Sequence, residues 1–162
     1  MKQLRLKENP FVTIDMVGAK KTGMRTQFGA IPYRLRNGKP EILLVTSRRT
    51  KRWILPKGWP MDGATPAQSA AREAYEEAGV EGRVYEASIG MYTYTKTLGG
   101  EKTLPCAVMV YPLKVKTICE AYPEKAQRRR KWFKPADAAK QVREVELAHV
   151  LKTFDPRLFS KA

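Results

Sequence analysis

The sequence has little cysteine, few acidic residues and no long hydrophobic run. Its two cysteines, Cys106 and Cys119, are too few for a disulfide framework or a zinc site built from thiolates. We therefore expect both thiols to stay reduced in a cytoplasmic protein. The longest apolar stretches, such as 107–111, are far shorter than the ~20 residues of a membrane-spanning helix. The first residues also lack an apolar segment of signal-peptide length, so we expect no membrane association.

The shortage of acidic side chains leaves a strongly cationic chain. Its 162 residues include 31 Lys and Arg against 16 Asp and Glu, which gives a net charge of +15. Within this basic chain, residues 58–82 hold five acidic side chains and one basic side chain. That combination suits a site that binds a metal cation while its surroundings attract a polyanion. Charge alone is explained equally well by an ordinary Glu-rich helix on a basic surface.

Turn residues divide most of the chain into strands. Residues 1–24 show no sustained periodicity and are predicted to form a basic, partly ordered arm. Segments 26–36 and 41–47 have strand character and are joined by Asn37-Gly38, which predicts a hairpin. Further strands are expected at 53–55, at 83–96 (one or two strands, broken near Gly90), at 103–116 and at 128–134.

Two parts of the sequence have helical character. Thr65 is a good N-cap, Pro66 suits the first helical position, and Gln68 completes a capping box before a run of strong helix formers. Gly79 then ends this helix. Pro135 opens a second helical part that continues, with a break, to about residue 154. Strands that flank a helix, with more helix at the end, indicate a layered α/β or α+β domain.

The first helix concentrates negative charge on one face. Glu73, Glu76 and Glu77 stand at i, i+3 and i+4, so their carboxylates share that face. Like charges at this spacing destabilise an isolated helix by ~0.2–0.5 kcal/mol per pair. A bound cation compensates for that repulsion, and Arg72 offsets only part of it. Mg²⁺ prefers such hard oxygen ligands and takes others from substrate phosphates. The alternative is a solvated helix face with no ligand.

Residues 58–80 resemble the Nudix box. That box consists of a Gly, five residues, a Glu, seven residues, and then R-E-U-x-E-E-x-G-U, where U is a bulky aliphatic residue. The positions that match it are Gly58, Arg72, Glu73, Glu76, Glu77, Gly79 and Val80. Two positions depart from it, because Ala64 replaces the first Glu and Ala74 is smaller than the usual aliphatic residue.

The resemblance implies a fold and a reaction. The fold is an α/β/α sandwich with a mixed β-sheet and a catalytic loop–helix–loop, which forms a single domain over 25–158. The reaction is hydrolysis of a diphosphate bond. In the family, the first Glu of the box mostly supports the site, so Ala64 affects metal affinity or rate more than the reaction type. The resemblance also allows an inactive descendant that still binds the ligand.

The resemblance also implies roles for the box residues. The Gly58 carbonyl, Glu76 and Glu77 would bind Mg²⁺ or Mn²⁺. Glu73 would bind metal or activate the attacking water, and Arg72 would orient a carboxylate of the helix. Glu76→Gln or Glu77→Gln is then expected to nearly abolish turnover without unfolding the protein. Family members often recruit another acid from outside the box, for which the candidates are Glu101, Glu120 and Glu124.

The wider chain, over roughly residues 26–155, is similar to the diphosphoinositol polyphosphate and diadenosine polyphosphate hydrolases of the family. The similar segments are Ile42-Leu43-Leu44-Val45, Ser47-Arg48, Trp53-Ile54-Leu55-Pro56 and 128–133. This similarity implies a small, highly anionic, phosphorylated substrate. Lys57 and Lys131 depart from these relatives, which tend to have Gly and an acid there, and both changes add positive charge.

Basic residues are the candidates for phosphate binding, since Arg offers bidentate contacts and Lys a mobile point charge. Residues 48–57 precede the catalytic glycine closely enough to line its entrance, and Lys96 and the basic run 128–131 could supply the far wall. Each of these residues taken singly is also explained as a solvated surface charge. The predicted substrate-binding set is Arg25, Arg48, Arg52, Lys57, Lys102 and Arg130, with Arg48, Lys57 and Arg130 foremost.

A different function class is nucleic-acid binding. Basic charge interleaved with Trp59, Trp132, and Tyr92 or Tyr94 could hold single strands. A pure binding module leaves the carboxylate face without a use, and that face would repel phosphate. A hydrolase of RNA 5′ ends or of another nucleoside diphosphate derivative combines both interpretations. The oligomeric state is left open by the sequence.

Overall fold

The computed structural model describes residues 23–160, so positions 1–22 of the predicted arm lie outside the described residues. The strands are β1 (Arg25–Arg36), β2 (Lys39–Thr46), β3 (Trp53–Ile54), β4 (Lys57–Gly58), β5 (Val80–Val84), β6 (Gly90–Gly99), β7 (Lys102–Ile118) and β8 (Arg130–Phe133). The helices are α1 (Pro66–Ala78), α2 (Pro135–Gln141) and α3 (Val145–Lys152), followed by a 3₁₀ turn at Pro156–Leu158. None of the helices in this part of the chain is long and apolar enough to cross a membrane.

The strands form one mixed sheet with the central order β3-β2-β1-β7-β5. β1 and β7 run parallel, whereas β1 and β2 form the antiparallel hairpin that Asn37-Gly38 predicts. β4 pairs with β1, β6 with β7 and β8 with β2, all antiparallel. The sheet is therefore mixed, as the sequence predicts.

Side chains alternate between the two faces of the sheet along each central strand, and each face is covered by helix. Phe28, Ala30 and Met109 belong to the cluster that packs against α1. Ile31 and Val110 belong to the opposite cluster, which includes residues of α2 and α3. The arrangement is the predicted α/β/α sandwich, with α1 on one side and α2 and α3 on the other.

Helix α1 begins and ends as the sequence predicts. The Thr65 hydroxyl accepts from the Gln68 amide at 3.0 Å, and the Gln68 side chain accepts from the Thr65 amide at 2.9 Å. Gly79 follows the helix with φ of 66°, a conformation that glycine adopts without strain. The buried stripe of α1 is made largely of alanine, and Ala74 is fully buried in it. The small residue at position 74 thus lets the helix lie close to the sheet.

The segment after α1 differs from the expectation of strands over 83–96. Strand β5 starts at Val80, directly after the helix, and pairs with β7 through an irregularity at Glu81/Gly82. A Cβ on Gly82 would overlap the backbone of Lys114, so glycine permits this close pairing. The predicted interruption near Gly90 is confirmed, because β6 begins there. The last predicted strand, 128–134, is shorter in the structure, where β8 covers Arg130–Phe133.

Candidate active site

A polar cavity of about 440 Å³ opens where the loop before β3, strand β4, helix α1 and the segment before β8 meet. Strand β6 and the connection between α2 and α3 complete its wall. The lining residues are Gln27, Ser47, Arg48, Arg49, Thr50, Arg52, Ile54, Lys57, Gly58, Trp59, Glu73, Glu77, Tyr94, Thr95, Lys96, Thr97, Glu124, Arg128 and Arg143.

Helix α1 contributes two carboxylates to this cavity. Glu77 is 6% exposed, and Glu73, one turn earlier, is half-buried. The carboxyl group of Glu73 lies directly against Gly58, where a Cβ would overlap it. Glycine at position 58 is therefore required for the backbone of β4 to approach the acidic face of the helix.

Burial raises the pKa values of both carboxyls, and repulsion from Glu77 adds to the effect at Glu73. For Glu73, burial is the main cause, followed by Glu77, with which it shares a hydrogen bond, and the pKa is about 8. Burial also raises the pKa of Glu77, although Arg128 and Lys57 oppose the effect. The two groups form a desolvated site of concentrated negative charge, whose ionised form a cation would stabilise.

The third carboxylate of the cavity comes from outside the Nudix-like segment. The Glu124 amide donates to the Glu76 carbonyl at 2.9 Å, which fastens this loop to α1. Its carboxylate accepts from Arg128 Nε at 2.8 Å, and Arg128 Nη2 lies 3.9 Å from Glu77 Oε2. Of the three acids that the sequence leaves open, Glu124 is thus the one that lines the cavity; Glu101 and Glu120 do not.

Arg72 and Glu76 lie beside the cavity and not among its lining residues. Arg72 Nε donates to Glu76 Oε2 at 2.8 Å, an ion pair across one helical turn. The Arg72 guanidinium also lies 5.5 Å from the centre of the Tyr75 ring. The contact fits the predicted role of Arg72 in orienting a carboxylate of the helix.

The opposite wall carries cations. Lys57 Nζ lies 4.7 Å from the centre of the Tyr94 ring, and Tyr94 donates from its hydroxyl to Gln27 Oε1 at 2.6 Å. Burial is the main cause that lowers the pKa of Lys57 to about 8, while Glu77 opposes it and Arg52 adds to it. The predicted residues Arg48, Arg52 and Lys57 all line this cavity.

Three predicted substrate residues lie elsewhere. Arg130 donates to the carbonyls of Ala78 at 2.9 Å and Cys119 at 3.0 Å, so it holds the end of α1. Lys102 is exposed at the tip of the β6–β7 hairpin, and Arg25 opens β1 beside Cys106. Arg128, two residues before Arg130, lines the cavity instead. The sequence predicts it only as part of the basic run 128–131.

Sequence reasoning assigned no role to Gln27 and Arg143, which also line the cavity. Gln27 lies inside a buried strand, and Arg143 lies in the break between two helices. Tyr94 was considered only as a base-stacking residue. No local pattern separates these residues from others of their type, because chain segments that are far apart in sequence bring them together.

The donor set fits a hard divalent cation that shares its coordination with a ligand. Across residues 23–160, no three His, Cys, Asp or Glu side chains are gathered tightly enough to enclose a metal ion by themselves. Mg²⁺, however, is usually held by one or two carboxylates, with water and substrate phosphates as its other ligands. Glu73 and Glu77, with Gly58 directly against the Glu73 carboxyl, provide such a partial set.

Comparison with known sequences gives consistent matches. Residues 25–154 match the family model described as NUDIX domain. The chain is 32% identical over 140 residues to diphosphoinositol polyphosphate phosphohydrolase 2 of Rattus norvegicus, covering 85% of this chain and 70% of that protein. It is 31% identical over 142 residues to Nudix hydrolase 12, mitochondrial, of Arabidopsis thaliana, covering 78% of this chain and 70% of that protein.

Solved structures share the architecture. A C. elegans Ap4A hydrolase in a binary complex superposes with a TM-score of 0.61 at 25% identity, covering 83% of this chain and 98% of that one. The NUDIX domain of Shewanella oneidensis NrtR, crystallised with ADP ribose, has a TM-score of 0.60 at 16% identity, covering 87% and 92%. The second likeness concerns the fold alone.

Proposed function

The chain belongs to the NUDIX family of hydrolases, which act on pyrophosphate bonds, and we propose that it uses Mg²⁺ or Mn²⁺ to cleave a phosphoanhydride bond in a highly anionic substrate. The preferred substrates are a diphosphoinositol polyphosphate and a diadenosine polyphosphate. The similarity to the rat diphosphoinositol polyphosphate phosphohydrolase and to the C. elegans Ap4A hydrolase supports this choice.

The observation that carries the proposal is the division of charge in the cavity. Three carboxylates, Glu73, Glu77 and Glu124, lie on the side of α1. Seven cations also line the cavity, namely Arg48, Arg49, Arg52, Lys57, Lys96, Arg128 and Arg143, and of these Arg128 pairs with the carboxylates of Glu124 and Glu77. Even with the carboxylates fully ionised, the cavity keeps an excess of positive charge. Such an excess suits a substrate with several phosphates beyond the one that is attacked.

The metal, when bound, would supply electrophilic activation and neutralise the charge that develops on the phosphoryl oxygens. Glu77 and the Gly58 carbonyl are proposed to hold it, with Glu76 as a further ligand oriented by Arg72. Glu73 is the proposed proton acceptor for the attacking water. Burial and Glu77 raise its pKa to about 8, so a cation bound beside it would be needed to keep this carboxyl ionised as a base at neutral pH.

One aromatic residue favours a nucleoside-containing substrate. Trp59 follows Gly58 at the rim of the cavity and is 41% exposed. An exposed indole beside a phosphate site can stack on a base. Trp59→Ala should therefore raise the KM for a diadenosine polyphosphate more than the KM for a diphosphoinositol polyphosphate. The same contact would serve an RNA 5′ end or another nucleoside diphosphate derivative, which is the second candidate.

The test is hydrolysis of a panel of substrates with Mg²⁺, with Mn²⁺ and with a chelator, followed by separating the products that each cleaved anhydride gives (orthophosphate, pyrophosphate or a nucleotide). The panel contains a diphosphoinositol polyphosphate, diadenosine tetra- to hexaphosphates, ADP-ribose, nucleoside triphosphates and a 5′-triphosphorylated RNA. We expect turnover of the polyphosphates that requires metal and is lost in Glu77→Gln. Faster turnover of the RNA would support the second candidate.

Binding without turnover of any substrate would contradict the proposal. It would instead indicate a catalytically impaired polyphosphate-binding or nucleic-acid-binding protein, in line with Ala64 in place of the first Glu of the box. A small phosphorylated substrate is the proposed partner. The cytoplasmic location stays a prediction of the sequence.

A further inference from the structure

Glu144 lies in an unusual place for a carboxylate. It is the N-cap residue of α3, yet its side chain makes no capping hydrogen bond within the described chain. The side chain is only 9% exposed, and its Oε2 atom lies 3.0 Å from Arg52 Nη1. Burying a carboxylate costs free energy unless a partner compensates for it. This carboxylate has turned away from its own helix toward a cavity residue.

The backbone of Arg52 is fixed independently of this ion pair. Its amide donates to Ser47 Oγ at 3.1 Å, and its carbonyl accepts from the Ser47 amide at 2.8 Å. These contacts close the loop between β2 and β3 and place the start of the Arg52 side chain at the cavity. The ion pair with Glu144 then determines where its guanidinium points.

The pair is not fully satisfied by the protein. Glu144 Oε1 is buried and has no hydrogen-bond partner among residues 23–160, and the 3.0 Å contact between Arg52 Nη1 and Glu144 Oε2 is an ion pair without hydrogen-bond geometry. Buried polar atoms without partners are uncommon in folded proteins. The Arg52 side chain is 24% exposed, so its guanidinium can offer its other N–H groups to a ligand in a cavity that is proposed to bind phosphates.

The charge of Glu144 also acts on a second cation of the cavity, Lys57. Arg52 lowers and Glu144 raises the pKa of Lys57, which shows that both charges act on the same lysine. Two buried cations repel each other, and a carboxylate placed beside them reduces that repulsion. Glu144 thus allows Arg52 and Lys57 to occupy one wall together.

We propose that Glu144 is a positioning residue for substrate recognition, which holds the Arg52 guanidinium in the cavity so that it can donate to a phosphoryl group of the substrate. The inference rests on the proposed function for the class of ligand, a polyphosphate. It assigns Glu144 to binding and not to the chemical step.

Binding of inositol hexakisphosphate, measured by calorimetry without metal, tests this inference in the full-length protein. Glu144→Gln removes one negative charge from the cavity, so electrostatics alone predicts tighter binding of this polyanion. A positioning role predicts the opposite, a loss of about tenfold, which is the value of one hydrogen bond to a charged group. In an Arg52→Gln background, Glu144→Gln should cause no further loss.

Glu41→Gln is the matched control. Glu41 pairs with Arg34 at 2.8 Å in another ion pair between strands, away from the cavity. Glu41→Gln changes the net charge by the same amount as Glu144→Gln and should not weaken binding of inositol hexakisphosphate. Glu144→Asp keeps the charge and should restore most of the affinity if the Gln variant folds poorly. Tighter binding by Glu144→Gln, or losses that simply add to those of Arg52→Gln, would overturn the inference.

The kinetic readout keeps this inference separate from the proposed function. With a diphosphoinositol polyphosphate as substrate, Glu144→Gln should raise KM about tenfold and leave kcat within about twofold. A lower kcat at constant KM would contradict the positioning role while the hydrolase remains supported. Binding of inositol hexakisphosphate that depends on Arg52 and Glu144, without turnover of any substrate, would support the positioning role and contradict the proposed hydrolase function.

Discussion

The two walls of the cavity are built in different ways. The acidic wall comes mainly from one regular helix, α1, where Glu73 and Glu77 are one turn apart. The cationic wall is assembled from separate segments, so that Arg52, Lys57 and Arg143 come from a loop, a two-residue strand and a break between helices. The contrast suggests that the reaction is encoded locally and the choice of substrate non-locally.

The largest effect on turnover is expected on the acidic wall, where substitutions of two neighbouring glutamates should differ in their cost. Glu77→Gln should lower kcat by about 10³-fold, because a positioned charge in a dry site is worth about 10²–10³. Glu76→Gln should cost only about tenfold and not the near-complete loss that the resemblance implies, since Glu76 does not line the cavity and would be a peripheral ligand in its ion pair with Arg72. The check is kcat at saturating Mg²⁺. Equal losses in both variants would show that the two carboxylates act as one set.

The second prediction concerns the glycine that faces this wall. In Gly58→Ala, the new Cβ would displace the flexible end of Glu73, so folding is retained while turnover falls. A misplacement of this kind costs on the order of 10²-fold.

Gly63→Ala is the matched control for this change. Gly63 has φ of +78° and open space around it, so alanine should cost roughly 1–2 kcal/mol of stability with turnover unchanged. Turnover and thermal unfolding of both variants provide the check. A Gly58→Ala enzyme of normal rate would exclude a fixed position of Glu73.

The features that the sequence predicts are those encoded within one short segment. The hairpin and α1 follow from local patterns, namely Asn37-Gly38, the capping box and Gly79, and the carboxylate face follows from helical spacing. The place of Arg128 depends on contacts such as its bond to the Thr46 carbonyl, 82 positions away. No single segment shows which distant residues will be in contact. The prediction from the sequence therefore included Arg130 in the substrate site and assigned no role to Glu144.

Two arginines of the basic side are expected to differ, because Arg130 contributes to stability and Arg48 to substrate binding. Arg130→Met should lower the free energy of unfolding by about 2–3 kcal/mol, because it removes charged hydrogen bonds to the Ala78 carbonyl at the end of α1 and to the Cys119 carbonyl after β7. Its KM should not change. Arg48→Met should raise KM severalfold with little loss of stability, since Arg48 is exposed and its bond to Gln127 is 3.3 Å long. Urea unfolding and steady-state kinetics of both variants test this; a raised KM in Arg130→Met would return that residue to the substrate site.

The smallest effect is expected at the position where the Nudix-like pattern is broken. Ala64 is half-buried in the turn before α1, with its amide donating to the Met61 carbonyl at 3.2 Å, and it does not line the cavity. Ala64→Glu should therefore change stability by no more than about 0.5 kcal/mol. A negative charge just before a helix N-terminus is mildly favourable, which offsets part of any local strain. Thermal unfolding and kcat, compared with wild type, are the measurements. A large loss of stability would mean that the turn holds position 64 more tightly than its exposure indicates, whereas a marked rise in kcat would show that the acidic wall extends beyond α1 to this turn.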